Sequence, residues 1–226
     1  MDLRALGAAA LRFEANEAPV AIAPGLSCRG PLGSPDVMRG EETQIAGAIA
    51  LHPGLGAGSH LLCLPGTHTK WATLRVGQVC DFLTALTGEL FGLLRDSSTL
   101  LRAAHAGTEA QTDATGDSRE GFERGIEHAT VPGSSSLLHA LFAVRSRQLL
   151  DGCSRDWALA YLSGLLIGAD VRGAIALFPA TTEVVLIGDR ALNERYAYAL
   201  RRAGIAASCL DGEECALAGL RALCQP

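Results

Sequence analysis

Short apolar segments alternate with amphipathic ones in the last third of the chain, and this alternation narrows the choice of fold most. Residues 183–187 (EVVLI) are typical of a buried strand, and residues 190–203 are predicted to form a helix. A second strand is predicted at 205–210 and a closing helix at 213–223. Because strands that alternate with helices usually build a sheet covered by helices, the sequence predicts an α/β fold.

The rest of the chain is predicted from the same periodicities. Apolar segments separated by Gly-containing turns predict an antiparallel meander of three strands in the middle of the chain. The expected meander strands are 61–64, 69–75 and 79–83; the expected helices are 2–13, 36–51, 121–129, 134–150 and 155–177; a strand is expected at 19–24, and loops at 25–35 and 105–120.

Composition excludes several classes of function. The 226 residues carry a net charge of −5 and no Lys/Arg run, which disfavours nucleic-acid and membrane-surface partners. No uninterrupted apolar run reaches the roughly 18 residues of a membrane span. Seven scattered cysteines without a Cys-x-x-Cys pair indicate reduced thiols and a cytoplasmic protein. The six histidines show no metal-ligand spacing, so no protein metal site is expected.

A candidate phosphate-binding turn lies between the first two meander strands. Pro65-Gly66-Thr67-His68-Thr69-Lys70 occupies the predicted hairpin tip. Glycine lets a ligand approach the backbone, and turn amides, threonine hydroxyls and a lysine can surround phosphate oxygens. The alternative is an ordinary Gly-Thr hairpin with a solvated lysine. The sequence is not a Walker loop, because no G-x-x-x-x-G-K-[ST] occurs.

An acidic pair, Glu41 and Glu42, opens the predicted helix 36–51. A kinase for a hydroxylated substrate needs a carboxylate that orients and deprotonates the attacking hydroxyl, and either glutamate could supply it. The alternative is that both residues only complement the helix dipole. Arg39 could pair with a carboxylate of a substrate or bridge to a neighbouring acid.

A third candidate site follows the strand at 183–187. That strand runs into Gly188-Asp189 at the start of the next helix, where adenosine could pass close to the backbone. A plain strand–helix turn explains the same residues.

Four motifs taken together resemble a known family more specifically than any one of them. They occur in the order Met38-Arg-Gly-Glu-Glu-Thr-Gln44, Leu64-Pro-Gly-Thr-His-Thr-Lys-Trp71, Asp81-Phe-Leu-Thr-Ala-Leu-Thr-Gly-Glu-Leu90 and Leu162-Ser-Gly-Leu-Leu-Ile-Gly-Ala-Asp170. They closely resemble the 2-dehydro-3-deoxygalactonokinase family, whose superfamily (sugar kinases, Hsp70 and actin) folds as two RNase-H-like lobes around an ATP cleft. The resemblance implies a remnant of the N-terminal lobe at 1–40 and an essentially complete C-terminal RNase-H-like lobe at 41–226.

The resemblance also implies an activity and its residues. The reaction would be phosphorylation of 2-dehydro-3-deoxy-D-galactonate at its 6-hydroxyl by ATP and Mg²⁺. Glu41 or Glu42 would be the base, with Glu41 favoured, and Arg39 and Gln44 would bind the sugar acid. Gly66 to Lys70 would form the second phosphate loop, and Gly188 and Asp189 the adenosine motif.

The sequence departs from the family in one respect. It contains nothing like the Asp-x-Gly-Thr-Thr-Asn-x-Arg phosphate loop, which would hold Mg²⁺ and the γ-phosphate. The expectation is therefore little or no kinase activity for these 226 residues alone. A non-catalytic protein that binds nucleotide or sugar acid, and a purely structural α/β domain, are the alternatives. Ala/Leu-rich helices are compatible with a homodimer.

Overall fold

The protein is described by a computed structural model that covers residues 4–101, 114–131 and 136–224. The chain divides into two compact units. The first unit combines Met1–Ala85 with Ala180–Ala197 and Gly204–Pro226, and the second combines Leu86–Pro179 with Tyr198–Ala203.

Short strands dominate the first part of the chain, helices the middle, and the two alternate at the end. In chain order the elements are α1 (Arg4–Ala8), β1 (Leu11–Ala15), β2 (Ala18–Ile22), β3 (Leu26–Arg29), β4 (Pro35–Met38), α2 (Glu41–Leu51), a 3₁₀ turn (Pro53–Gly56), β5 (Ser59–Leu64), β6 (Thr69–Arg75), β7 (Gln78–Ala85), α3 (Thr87–Ser97), α4 (Ala114–Thr130), α5 (Leu137–Leu141), α6 (Ala143–Leu150), α7 (Arg155–Leu177), β8 (Glu183–Gly188), α8 (Arg190–Arg202), β9 (Ala206–Asp211) and α9 (Gly212–Cys224).

A mixed five-stranded sheet organises the first unit, with the strand order β7-β6-β5-β8-β9. The meander β5-β6-β7 is antiparallel, whereas β8 runs parallel to β5 and β9 parallel to β8. The β6–β7 turn is tight because Val76 and Gly77 both adopt positive φ angles, 48° and 71°. Helix α8 supplies the crossover that the parallel pair β8–β9 requires. The α/β class predicted from the sequence is therefore confirmed.

Helices α2 and α9 cross at two glycines, which lets their backbones approach closely. A Cβ atom on Gly47 would overlap the carbonyl oxygen of Cys215, and one on Gly219 would overlap that of Thr43. Beneath this pair of helices, the fully buried side chains of Ile45, Leu62 and Leu74 belong to one apolar core. This crossing holds α2, with the acidic pair in its first turn, against α9.

The second unit is helical and uses glycines in the same way. A Cβ atom on Gly121 or Gly125 of α4 would overlap a carbonyl oxygen of α7, and one on Gly164 of α7 would overlap a carbonyl of α4. Trp157 and Tyr161 of α7 stack with ring centroids 5.0 Å apart in the core beside this crossing.

Helix α7 has the length and composition of a membrane span, although the sequence contains no uninterrupted apolar run of that length. Its most apolar 18-residue window has a mean hydropathy of 1.4. However, 61% of that window is buried inside the protein, as in the core helix of a soluble protein. The helix therefore gives only weak support to a membrane role.

The N-terminal secondary structure differs from the prediction. A helix was expected over 2–13, but among its described residues only Arg4–Ala8 is helical, and Leu11–Ala15 pairs with Ala18–Ile22 in a hairpin. The turn residues Asn16 and Glu17 both have positive φ angles, 51° and 63°. The prediction failed here because Asn-Glu is a weaker hairpin signal than Asn-Gly.

Further differences concern loops and helix ends. The predicted loop 25–35 contains β3 and the start of β4, and Asp36 lies in that strand instead of a helix. Of the predicted loop 105–120, the part up to 113 lies outside the described residues, and the remainder is the first part of α4. The predicted helix 134–150 is divided into α5 and α6, and its first two residues lie outside the described part.

The division into compact units follows different lines from the predicted domains 1–40 and 41–226. In the structure, the strands of the first 40 residues belong to the same unit as the five-stranded sheet. The lobe assignment remains a prediction based on the family resemblance.

Candidate functional site

An open cleft of about 590 Å³ lies in the first unit, where β5 and β8 end and where α2, α8 and α9 begin. The carboxyl ends of parallel strands are the usual place for ligands in sheets of this type. The cleft is lined by Arg39, Gly40, Glu41, Gln44, Leu64, Pro65, Gly66, Thr67, His68, Ile187, Gly188, Asp189, Asp211, Gly212, Glu213 and Ala216.

Two aspartates cap the helices that follow β8 and β9 in the same way. Asp189 Oδ1 accepts hydrogen bonds from the backbone N–H groups of Ala191 and Leu192, at 2.9 and 3.1 Å. Asp211 Oδ1 accepts bonds from Glu213 and Glu214, both at 2.9 Å. These caps satisfy backbone donors that a helix start leaves without partners. Both aspartates remain exposed and reach the cleft.

The two adjacent glutamates at the start of α2 have different environments. Glu41 lines the cleft, and its Oε2 accepts a hydrogen bond from the backbone N–H of Arg39 at 3.1 Å. Glu42 is only 1% exposed; its oxygens accept bonds from Gly40 N at 2.6 Å and from Thr43 Oγ1 at 3.2 Å. Burial raises the pKa of Glu42, against the lowering effect of these hydrogen bonds. Glu42 therefore holds the turn, and Glu41 faces the ligand space.

The hairpin between β5 and β6 divides its residues between the cleft and the interior. Gly66, Thr67 and His68 line the cleft. Thr69 is fully buried, and its hydroxyl lies 2.9 Å from the hydroxyl of Tyr196. The tip of the hairpin can therefore contact a ligand, whereas the start of β6 cannot.

Lys70 belongs to a network in the interior. It is 5% exposed, and its ammonium group donates to Val37 O and Thr84 Oγ1, both at 2.7 Å. The hydroxyl and backbone N–H of Thr84 in turn donate to the carboxylate of Asp36, at 2.6 and 2.7 Å. This network ties β4, the strand that leads to Arg39 and Glu41, to β6 and β7. The predicted contact of Lys70 with phosphate has no support in this geometry.

The floor of the cleft is formed where two glycines meet at the ends of β8 and β9. A Cβ atom on Gly212 would lie 2.9 Å from the Cα of Gly188 and 3.0 Å from Nε2 of Gln44. Gln44 Nε2 donates to Gly212 O at 3.2 Å, which ties α2 to the start of α9. A side chain at Gly212 would fill this space, and one at Gly188 would press against Asn193 and Pro65.

Among the described residues that line the cleft, most of the charged ones are acidic. Four carboxylates lie there, those of Glu41, Asp189, Asp211 and Glu213, against the single guanidinium of Arg39. The start of each of α2, α8 and α9 offsets part of this negative charge through the helix dipole. Within the described part of the chain, no group of three His, Cys, Asp or Glu side chains is arranged to hold a metal ion.

Most of the predicted site residues therefore meet in one place. The structure brings together Arg39, Glu41, Gln44, Gly66, Thr67, His68, Gly188 and Asp189, and it places Glu42, Thr69 and Lys70 in the interior. Prediction missed Asp211, Gly212 and Glu213. Their signal was present, because Asp211 follows a predicted strand and precedes a predicted helix, as Asp189 does.

Relatives of this chain were found by sequence. It is 41% identical over 203 residues to a Rhizobium meliloti (strain 1021) protein named "Probable 2-dehydro-3-deoxygalactonokinase DgoK1", covering 90% of this chain and 63% of that protein. It is 35% identical over 202 residues to the 2-dehydro-3-deoxygalactonokinase of Escherichia coli (strain K12), covering 89% and 64%. The chain thus spans somewhat less than two thirds of the length of these curated relatives.

A solved structure and a family model agree with these relatives. The crystal structure of a protein assigned as a 2-dehydro-3-deoxygalactonokinase from Sinorhizobium meliloti superposes with a TM-score of 0.81 at 38% identity, over 98% of this chain and 70% of that one. The model of the family described as 2-keto-3-deoxy-galactonokinase matches residues 1–223. Because 2-keto and 2-dehydro denote the same oxo group, these matches name one family. The chain belongs to the 2-keto-3-deoxy-galactonokinase family.

Proposed function

We propose that this chain takes part in the ATP-dependent phosphorylation of 2-dehydro-3-deoxy-D-galactonate at its 6-hydroxyl, in galactonate catabolism. The observation that carries the proposal is that Glu41 and Thr67 line the same cleft. A carboxylate for the attacking hydroxyl and a Gly-Thr turn for phosphate are two of the groups that phosphoryl transfer needs. The names of the curated relatives supply the substrate.

The proposed fold assignment is an RNase-H-like lobe of the actin-like ATPase superfamily. It is supported by the order of the sheet, in which an antiparallel meander continues into two parallel strands with helices between them. The division into a remnant at 1–40 and a lobe at 41–226 is part of the same proposal.

Each residue of the cleft has a proposed role. Glu41 acts as general base, because its carboxylate reaches the cleft while that of Glu42 is buried. Arg39, the only arginine or lysine among the described residues that line the cleft, binds the carboxylate of the sugar acid. Gly66 and Thr67 contact the phosphates through amides and a hydroxyl. Gly188 gives adenosine access to the backbone at the floor.

Further cleft residues have supporting roles in this proposal. Gln44 supports the substrate side through its bond to Gly212 O. His68 and Asp189 border the phosphate and adenosine regions of the cleft. Lys70 anchors the strand that leads to Arg39, and Thr69 and Glu42 support the hairpin and the turn from the interior.

The donors in the cleft suit Mg²⁺ carried by ATP. Mg²⁺ prefers oxygen ligands, keeps several waters and usually binds through one or two carboxylates together with phosphates. Asp189, Asp211, Glu213 and Glu41 offer such oxygens without forming a closed metal cage. When bound, Mg²⁺ would neutralise charge that develops on the phosphates. A nucleotide without Mg²⁺ would meet net negative charge in this cleft.

The remaining proposals concern location and partners. A cytoplasmic enzyme is in line with the burial of α7 in the protein and with bacterial relatives named as 2-dehydro-3-deoxygalactonokinases. The proposed partners are small molecules, ATP and a sugar acid; a homodimer is a further proposal.

The proposal is tested by product formation and by binding. Because the sequence contains no first phosphate loop, we expect transfer of label to the sugar acid to be slow, and the chain is therefore used in excess over γ-³²P-labelled ATP with Mg²⁺ and 2-dehydro-3-deoxygalactonate. The site of phosphorylation is read by mass spectrometry. Calorimetric titration should show binding of both ligands. Binding without transfer would favour the alternative of a non-catalytic binding protein. If the chain neither binds these ligands nor transfers label, the proposal is refuted and the alternative of a purely structural α/β domain is favoured.

A further inference from the structure

Asn193 of α8 lies behind the floor of the cleft and joins the ends of two strands. It is 2% exposed, and its Nδ2 donates to Gly188 O at 3.2 Å and to Leu210 O at 3.1 Å. Gly188 is the last residue of β8, and Leu210 precedes the last residue of β9. One side-chain amide therefore ties together the two strand ends at which Asp189 and Asp211 begin their helices.

The orientation of this amide follows from its neighbours. Both of its partners are carbonyl oxygens, which only the NH₂ group can satisfy, so the oxygen must point the other way. No described residue donates a hydrogen bond to that buried Oδ1. A buried acceptor without a partner costs about 1–3 kcal/mol. Such a cost is usually retained where the geometry serves a function or where a water completes the site.

The oxygen also limits what can stand at the floor of the cleft. A Cβ atom on Gly188 would lie 3.2 Å from Asn193 Oδ1 and 3.4 Å from Pro65 O. The amide therefore packs against the face of Gly188 that a side chain would occupy. Gly188 also packs against Gly212. A Cβ atom on Gly212 would lie 2.9 Å from the Cα of Gly188.

We infer that Asn193 is a positioning residue for the nucleotide: it sets the spacing of the β8 and β9 ends, and so the shape of the Gly188–Gly212 floor on which the nucleoside part of ATP lies. The inference rests on the proposed function, because it assigns adenosine to this floor. Asn193 does not touch the ligand, and its effect acts through the two carbonyls that it holds.

Asn193 lies behind the proposed nucleoside region of the cleft, and this location predicts which of the two ligands binds less tightly when Asn193 is substituted. Gly188 and Asp211 border the proposed nucleoside region, whereas Arg39 and Glu41 lie at the start of α2. Asn193 holds the strand ends directly, through Gly188 O and Leu210 O, whereas Gln44 of α2 is linked to this floor one step further away, through Gly212 O. A change at Asn193 should therefore weaken nucleotide binding and leave sugar-acid binding nearly unchanged. General damage to the unit would weaken both.

The test is calorimetric titration of Asn193→Asp with MgATP and, separately, with 2-dehydro-3-deoxygalactonate. Aspartate has the same size but lacks the amide N–H groups: it donates to neither carbonyl when ionised and to at most one when protonated. We expect the Kd for MgATP to rise about 10-fold or more, the effect of losing roughly 1.4 kcal/mol, and the Kd for the sugar acid to stay within about 2-fold. Asn193→Ser, which removes the amide without adding charge, should show the same split.

A matched control exists in the second unit. Gln148 Nε2 also bridges two carbonyl oxygens, Leu100 O at 2.8 Å and Val144 O at 2.7 Å. Gln148→Glu makes the same chemical change as Asn193→Asp at a residue outside the cleft. It should lower the melting temperature without changing either Kd.

The outcomes distinguish a failure of the proposed function from a failure of the role assigned to Asn193. If the unaltered chain binds no MgATP, the proposed function fails before any variant is compared. If it binds MgATP and the Asn193 variants bind it equally well, or lose both ligands to the same degree, the inference is overturned. Failure of both variants to fold would assign Asn193 to the core alone and would also overturn it.

Discussion

Glu41 and Glu42 are neighbours in the sequence, but only Glu41 reaches the cleft, and Glu42 is 1% exposed. The separation arises at the start of α2, where Gly40 has a φ of 108° and its N–H donates to Glu42. Successive residues of a helix point about 100° apart, so only one of the two carboxylates can face the ligand space. The hairpin is divided in the same way, because Thr67 reaches the cleft and Lys70 is buried.

Glu41→Gln should stop the chemistry and spare binding. Removing a general base typically lowers the rate by 10²- to 10⁴-fold. We expect single-turnover transfer from ATP to the sugar acid to fall about 100-fold or more, with the Kd for MgATP within about 3-fold of the unaltered chain. Transfer at an unchanged rate in Glu41→Gln would remove Glu41 from the mechanism.

Glu42→Gln should act on the pH dependence of stability. Because burial raises the pKa of Glu42, the folded state keeps this proton to a higher pH than the unfolded chain does. The contribution of Glu42 to stability is therefore fully present below the unfolded pKa of about 4.3 and is lost as the pH rises through the folded value. The free energy of unfolding of the unaltered chain, minus that of Glu42→Gln, should fall as the pH rises above the unfolded value, measured by urea unfolding.

A difference that stays constant or rises over this range would contradict the assigned environment of Glu42. Glu41→Gln is the control, since Glu41 lines the open cleft.

Gly47→Ala should destabilise the first unit severely. Its Cβ would overlap the carbonyl oxygen of Cys215 and lie 2.6 Å from Gly219 N, and neither backbone atom can move without separating α2 from α9. Overpacking commonly costs about 1–3 kcal/mol, and we expect at least the upper end of that range. Thermal and urea unfolding measure it.

Gly173→Ala in α7 is the matched control for this crossing. Nothing lies within 4 Å of its Cβ position, so alanine should stabilise the helix by about 0.5–1 kcal/mol. Equal effects of the two substitutions would show that the α2–α9 crossing does not depend on Gly47.

Two substitutions, Lys70→Met and Thr67→Val, should distinguish a residue that holds the strands together from one that contacts the nucleotide. Methionine leaves the carbonyl of Val37 without its donor, so we expect a loss of about 1–3 kcal/mol in unfolding free energy and a Kd for MgATP within about 3-fold. Thr67→Val removes a hydroxyl in the cleft and should raise the Kd for MgATP about 10-fold with little change in stability. A large loss of MgATP affinity in a folded Lys70→Met would restore Lys70 as a phosphate ligand.

The five strands of the mixed sheet, helix α7 and the two halves of the cleft could be predicted because their signals are local. The apolar run before Gly188 predicts the end of a buried strand, and the Gly-Thr turn at 66–67 predicts a hairpin tip. Both positions line the cleft in the structure. Whether a given side chain reaches the cleft depends less on its neighbours in the sequence and more on the packing of the sheet. Thr69 and Lys70 are both buried because β6 lies between β5 and β7 and its residues are covered on both faces, which periodicity alone does not reveal.

Other residues were missed because their roles depend on distant partners. Asn193 sits on a helix rich in charged residues and has no sequence signal that distinguishes it from a solvated asparagine. Its partners, Gly188 and Leu210, are brought to it by the parallel pairing of β8 and β9. The packing role of Gly47 likewise depends on its contact with Gly219, which is distant in the sequence.

The most direct test of the account is a crystal structure of the chain with a non-hydrolysable ATP analogue, Mg²⁺ and 2-dehydro-3-deoxygalactonate. The account predicts the terminal phosphates beside Gly66 and Thr67, and the 6-hydroxyl oxygen within about 3.2 Å of a carboxylate oxygen of Glu41. Phosphates bound away from the hairpin, or a 6-hydroxyl turned away from Glu41 with both ligands present, would contradict it.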